Sequence, residues 1–446
     1  MNSIRLFRAS PIGFCLCLMM ILTGAAPAAP PDLTASGAIA ALKTDSNASP
    51  VYGLTYNLGP TGLRGWIHLR RGWGTTYGQD GTMTDEARQI LVTVASAPGN
   101  SALAVDDLIL GVDWGSGTGA IPFFTSDARK AFGAAITEAE KPENGGILRI
   151  KRWRAGVTAD VSINLAVMGT YSDSAPYNCP KSAAILASAR NKLVSQLLAN
   201  PNFLTSDWKG AVSALALLAG VVPGDPDYNT VQTRLQTYAR ARAAAGPANV
   251  GLPIWDWGYV GLFLAEYYLA TGDASVLPGI NQYSLKLAQS QSIFGTFGHG
   301  PAVLRPDGTG RMSVAGYGPV NSAGLPANLA IVMGRKALLA GTQPVDPQID
   351  AAIQRASDFF SWYVNKGSIP YGEHHPGASD HASNGKDQAA AVFFSQQDNR
   401  FPETEYFTRM SVSGFTGREC GHTGQRFSYL WEGMATNVGG QLAVSE

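Results

Sequence analysis

Charge is scarce in this chain. Only 15% of its 446 residues are charged, against about a quarter in ordinary soluble domains. The 33 basic and 33 acidic residues cancel, and no basic run occurs. A neutral chain of this kind lacks the electrostatic footprint of a nucleic-acid binder, so nucleic acid is not an expected partner. Histidine is also sparse, with six in all. Of four cysteines, Cys15 and Cys17 fall in an apolar leader. That leaves Cys179 and Cys420, which could form one bridge or stay as two separate buried thiols. Beyond the leader no unbroken apolar run reaches the roughly 18 residues of a membrane span.

Glycine and proline are plentiful, at 51 and 26, which implies many turns and close backbone approaches. The length exceeds one ordinary core, so two or more domains are expected. Residues 1–28 read as a secretory signal. Arg5 and Arg8 precede the short apolar run IGFCLCLMMILTG, and Ala26-Pro27-Ala28 offers a cleavage site after Ala28. The expected location is the periplasm or the cell exterior. Residues 29–49 are rich in Ala, Pro and Ser and read as a linker.

From residue 50 to 168 the pattern is short β-rich runs: VYGLTYNL, GWIHLR, QILVTVA, DLILGVDW, ILRIKRW and VSINLAV. One helix, residues 127–140, interrupts them behind Asp127. This order predicts a small β-barrel. Residues 169–180 form a turn-rich connector, and from 181 to 446 the hydrophobic period becomes helical. Helices are expected near 181–199, 207–219, 228–245, 256–271, 275–291, 320–340, 347–366, 385–396 and 422–437. Gly210, Gly258, Gly318, Gly385 and Gly421 fall at helix starts, an arrangement that would let inner helices of an α/α toroid crowd about one axis. Nine or ten helices are fewer than the twelve of a six-pair ring. Either the ring is open or the chain given ends before it closes.

Two resemblances attach to these segments. PGNSALAVDDLILGVDW and the helix and strands after it resemble the small-residue, Gly-Asp, Val-Ile-Leu segment of bacterial PDZ domains. In that family a loop in the place of Gly62, Leu63, Arg64, Gly65 and Trp66 takes a peptide carboxylate. The resemblance therefore implies β-augmentation by an extended peptide or protein C-terminus. Gln291-x3-Gly295-x-Phe297 resembles the Gln-x3-Gly-x-Trp motif of triterpene-cyclase toroids, with Phe replacing Trp. The whole arrangement, with YNCPKS, WDWGY, EYYLATGD, IPYGEHHP, SNGK and RECGHTG, is similar to a family of secreted bacterial proteins of unknown function. That family pairs a PDZ domain with an α/α toroid. Terpene cyclisation is disfavoured, since no DxDD acid motif occurs and the chain reads as exported.

The chemistry-bearing residues gather late. Residues 371–388, YGEHHPGASDHASNGKDQ, hold three of the six histidines. Their spacing matches no metal motif, and Pro376-Gly377 forbids the helix that HEXXH requires; neither a metal nor another cofactor is expected. If loops at one end of a toroid converge, His299, His374, His381 and His422 could share a cleft with Arg418, Glu419, Tyr317 and Asp256. Glycoside hydrolysis would need two carboxylates, from Asp256, Glu373, Asp380 or Glu419. Polysaccharide elimination would use His299, Tyr317, Asn321, Arg418 and His422. Trp257, Tyr259, Asn321, Tyr371, Asn384 and Lys386 are the expected substrate-binding set. The expected function is a carbohydrate-active hydrolase or lyase acting on a polysaccharide; the alternative is a scaffold that binds peptides or polymers without reacting.

Overall fold

The computed structural model describes residues 30–44, 55–70, 82–83, 87–95, 102–171, 179–308, 310–312, 318–372, 375–376, 385–413 and 426–440. An antiparallel sheet comes first and a helical region follows, which is the two-part layout expected. The sheet contains β1 (Tyr56–Asn57), β2 (Arg64–Ile67), β5 (Ile90–Val94), β6 (Leu108–Trp114), β7 (Ile147–Arg154) and β8 (Val157–Asn164), in that spatial order. The hairpin of β3 (Leu69–Arg70) and β4 (Thr82–Met83) stands apart. Every sheet neighbour is the next strand of the sheet in sequence, and every pairing is antiparallel. β1 and β8 are the end strands of an open sheet among the described residues, where a barrel was expected.

Alternation decides which face of this sheet is buried. Trp66, Ile67, Ile90, Leu91, Leu108, Ile109, Leu148 and Ile150 form its core, and each large side chain so buried is worth about 1.5–3 kcal/mol. Helix α2 (Ala128–Ala139) covers that core with Phe132 and Ala135. Asp127 caps it by accepting the Arg129 N–H.

The stretch expected as a linker carries structure. Helix α1 spans Ala38–Thr44, and Leu33, only 2% exposed, is part of the sheet core. Gln89 holds this segment from two sides, taking the Leu33 N–H and donating to Asp32. Lys43 pairs with Asp106. The few apolar residues of 29–49, Leu33, Ile39 and Leu42, all pack on the sheet; composition averaged them away.

The helical region contains α3 (Pro180–Ala199), α4 (Trp208–Gly220), α5 (Tyr228–Ala245), α6 (Pro253–Thr271), α7 (Leu277–Ser290), α8 (Asn321–Ala340), α9 (Pro347–Ser361), α10 (Lys386–Ser395), α11 (Phe401–Ser413) and α12 (Arg426–Gly439). Prolines in the first turn open α3, α6, α7 and α9, and Asp207 and Asp346 cap α4 and α9. Helix α11 escaped the periodicity reading. Its buried residues are Thr404, Phe407, Thr408, Met410 and Ser411, a helical stripe in which three of the five carry hydroxyls.

The packing follows one scheme. Neighbours α4–α6, α6–α8, α8–α10 and α10–α12 pack against each other, and all five line a single cavity of about 500 Å³. Helices α5, α7, α9 and α11 pack behind them and do not line it. Glycine permits one of these close approaches. A Cβ on Gly258 would lie 3.1 Å from the Ala327 Cα, so α6 and α8 meet backbone to backbone.

The Gln291 motif is a clasp. Gln291 donates to Asn328 Oδ1 (2.8 Å) and to the Ala352 carbonyl (3.0 Å), and accepts from Arg355 Nε (2.8 Å). Asn328 in turn donates to the Gly295 carbonyl. Gly295 has φ 87°, and a Cβ there would sit 2.5 Å from Arg355 backbone. The motif thereby joins α7, α8 and α9. Between the two parts of the chain, Lys181 at the start of α3 pairs with Glu140 at 2.5 Å, both buried.

Candidate functional site

The N-terminal turns of the cavity-lining helices meet in an aromatic cluster. Trp208 opens α4, Trp255 lies in the first turn of α6, and Phe427 lies at the start of α12. Their ring centroids are 4.8 Å (Trp255–Phe427), 5.7 Å (Trp208–Phe427) and 6.0 Å (Trp208–Trp255) apart. Trp208 also lies 6.1 Å from Tyr259, which meets Trp431 one layer deeper. Trp208, Phe427 and Trp431 were not singled out from sequence, although DWKG beside Gly210 was a visible flag for the first.

Asp256 sits in this cluster, half-buried. Its Oδ1 accepts the Trp208 backbone N–H at 2.9 Å, so a side chain of α6 satisfies a free donor at the start of α4. Burial raises its pKa; the Trp208 hydrogen bond opposes the shift and nearby Asp207 adds to it. The protonated acid is thus favoured beyond its ordinary range.

His299 stands against the same wall. Its Nδ1 accepts the Trp255 indole N–H at 2.9 Å, and the two rings stack at 6.2 Å. The His299 carbonyl accepts the Ile254 N–H, fixing this loop to the start of α6. The structure therefore gathers Asp256 and His299 around Trp255.

Trp257 faces elsewhere. Two residues along a helix are roughly 200° apart in rotation, so Trp255 and Trp257 cannot share a face. Trp257 donates to the Ala248 carbonyl at 2.7 Å and lies under the Lys286 ammonium. Tyr259, one turn after Trp255, does face the cluster but is only 1% exposed. Its hydroxyl accepts the Trp431 N–H at 3.3 Å, and burial pushes its pKa up.

Asn321 and Asp387 hold a loop in place. The Asn321 side-chain amide donates to the Pro370 and Gly372 carbonyls, both at 3.0 Å, and its backbone N–H donates to the Tyr371 carbonyl. From α10, Asp387 accepts the Ser368 hydroxyl (2.7 Å) and the Ile369 N–H (2.9 Å). Residues 368–372, including the half-buried Tyr371, are pinned between α8 and α10 just ahead of the histidine loop. Lys386 beside Asp387 is fully buried. Burial lowers its pKa to about 8, against an upward pull from Asp387, while burial drives Asp387 upward. Three polar groups near these helix starts are buried with no hydrogen-bond partner: Asn321 Oδ1, the Gln388 amide and the Ser428 hydroxyl.

His374, His381, Tyr317, Asn384, Arg418, Glu419 and His422 lie outside the described residues, as do Glu373, Asp380 and Cys420. The Cys179 sulfur lies 3.4 Å from the Ser182 hydroxyl.

In the sheet domain, residues 58–63 form a tight turn. Leu58 N–H donates to the Leu63 carbonyl, and Gly62 takes φ 69°. Arg64 reaches back to Thr55 through Nε and Nη2. Gly65 pairs with Tyr56 on one side and Val92 on the other, and Trp66 is buried with its indole N–H unpartnered. An extended peptide adding to β2 at Arg64–Gly65 would have to displace β1.

The class these features define is a sheet domain joined to a helical domain whose helix starts meet in a polar and aromatic cluster. The chain belongs to the family described as "Domain of unknown function (DUF6288)", which matches residues 182–446. No curated protein and no solved structure matches it. Among the described residues no helix is long and apolar enough to cross a membrane.

Proposed function

We propose that this chain is an exported carbohydrate-active protein, with an α/α toroid as its catalytic domain and a PDZ-like domain that docks a peptide beside β2 only where β1 yields its place. The toroid reading is supported by five helices sharing one cavity with the remaining helices behind them. The PDZ-like reading is supported at Asp106 and Asp107, where that family carries Gly-Asp. Asp106 takes φ 74°, a conformation natural to glycine. Asp107 accepts the Ala104 N–H and pairs with Arg154 through both carboxylate oxygens at 2.6 Å.

The observation that carries the enzymatic reading is Asp256: a half-buried acid with raised pKa, bonded to the start of α4 where Trp208, Trp255 and Phe427 meet. Aromatic faces stack on sugar rings, and cleavage of a glycosidic bond needs a carboxyl that is still protonated at working pH. In this role Asp256 gives its proton to the leaving oxygen while water adds to the anomeric carbon. A second carboxylate activates that water, and Glu419 is the proposed candidate. The raised acid favours hydrolysis over elimination, which needs a base at the sugar instead.

The test is a screen of purified protein against neutral and uronate polysaccharides, by reducing-end release and by the absorbance of unsaturated products. Reducing ends that appear with wild type and vanish with Asp256→Asn support the reading. Unsaturated products, or turnover unchanged by Asp256→Asn, overturn it. Binding without turnover in wild type favours the scaffold alternative.

A further inference from the structure

The cavity shared by the five helices lies beyond the Asp256 cluster and shares Tyr259 and Trp431 with its deeper layer. On α6 its lining runs from Tyr259 to Ala270 and includes Glu266, ten residues after Asp256 and so about 15 Å further along the axis. It lies towards the C-terminal halves of α4, α6 and α10. Its walls are apolar, built from side chains such as Val212, Leu215, Leu262, Met333, Val392 and Trp431. Glu266 and Gln396 are the acid and the amide on its surface.

We propose that this cavity is a binding site for a single-chain amphiphile whose apolar tail fills the space between the helices and whose hydrogen-bond-donating head, an alcohol or an amine, meets Glu266. Its volume of about 500 Å³ lies within the usual range of small-molecule sites, which are largely apolar with a few placed polar groups. Covering these apolar walls with a hydrocarbon chain removes them from water, which favours binding. Met333 and Met434 supply side chains that adapt to an irregular chain.

The sign of the head follows from the surroundings. Glu266 is a carboxyl that burial makes reluctant to ionise, with Lys336 opposing that shift from outside the cavity. The Lys336 ammonium is itself engaged by Gln396 at 3.0 Å. Helix C-termini add partial negative charge at this end. A donor head satisfies the Glu266 carboxyl oxygens, whereas a carboxylate head offers them no donor and opposes the ionisation of Glu266. The site is independent of the carbohydrate reading and stands or falls without it.

The experiment titrates the full chain with bromine-labelled dodecylamine, dodecanol and dodecanoate below their micelle-forming concentrations, reading tryptophan fluorescence. Amine and alcohol should quench saturably, and dodecanoate should bind at least about tenfold more weakly, the factor that ~1.4 kcal/mol produces. Trp431→Phe should remove the quenched component. Glu266→Gln should erase the preference for amine over carboxylate, and Ala216→Phe should block all three ligands. If Ala216→Phe fails to fold, the Glu266→Gln comparison still decides. Absence of saturable quenching, or equal binding of the three heads unaffected by Glu266→Gln, overturns the proposal.

Discussion

The backbone N–H of Trp208 donates to the Asp256 carboxylate at 2.9 Å, across 48 residues of chain. One bond therefore completes the start of α4 and orients the acid on which the proposed chemistry rests. It also ties the acid's position to the packing of α4 on α6, so chemistry and stability meet at one side chain.

Asp256→Asn should keep the Trp208 hydrogen bond, because the amide oxygen still accepts, while removing the proton donor. General acid catalysis typically contributes 10²–10⁴-fold, so turnover should fall by about that factor with binding retained. The pH dependence follows from the raised pKa. A group whose folded pKa exceeds its unfolded one favours the fold below the unfolded pKa and loses that contribution as pH rises through the folded value. Wild-type turnover should decline as Asp256 ionises. In thermal melts Asp256→Asn should be more stable than wild type at neutral pH, with the gain vanishing in acid.

Lys386 has the opposite linkage. Its pKa falls from 10.5 to about 8 on folding, so the unfolded chain binds more protons between those values. Stability should rise as pH increases from about 8 towards 10.5. Lys386→Met should remove that rise, measured by urea unfolding across the window. Asp387→Ala should destabilise by about 1–3 kcal/mol for each buried donor it abandons, the Ser368 hydroxyl and the Ile369 N–H, and so free that segment.

Gln291→Ala should cost about 1–3 kcal/mol for each buried partner it abandons, among them Asn328 Oδ1 and Arg355 Nε. Chemical denaturation checks the magnitude. A loss below ~0.5 kcal/mol, the range of an ordinary surface change, would contradict the clasp.

Gly258→Val should separate α6 from α8, because its Cβ alone would stand 3.1 Å from Ala327 Cα. Overpacking of this kind costs about 1–3 kcal/mol. The displaced helix carries Trp255 and Asp256, so turnover should fall along with the melting temperature.

Much of the architecture was readable because it repeats a period. The strands at Ile90–Val94 and Ile147–Arg154 and the helices at Tyr228–Ala245 and Asn321–Ala340 follow from alternation and from the helical stripe. Helix α11 did not, since Thr404, Thr408 and Ser411 are buried hydroxyls that hydropathy scores as surface. Segment 30–44 was hidden by its small residues, although Leu33 sits in the sheet core with Ile39 and Leu42 packed against it.

The site was less legible. The histidine-rich loop 371–388 drew attention first, but most of it lies outside the described residues. What the structure adds is its mooring, with Asn321 and Asp387 holding 368–372 from two helices. Asp256 and His299 were named from sequence as members of a long list. What singles them out is that Asp256 bonds to Trp208 and His299 to Trp255, two rings of one cluster.

The order of elements, the change from a two-residue to a 3.6-residue period and the absence of a later membrane-length run were determined by sequence alone, because each depends on neighbours along the chain. Which face of α6 carries Trp255 and which carries Trp257, how the clasp at Gln291 joins three helices, and where a cavity opens were decided by tertiary structure. These depend on residues tens to hundreds of positions apart, whose meeting is set by how closely the helices pack.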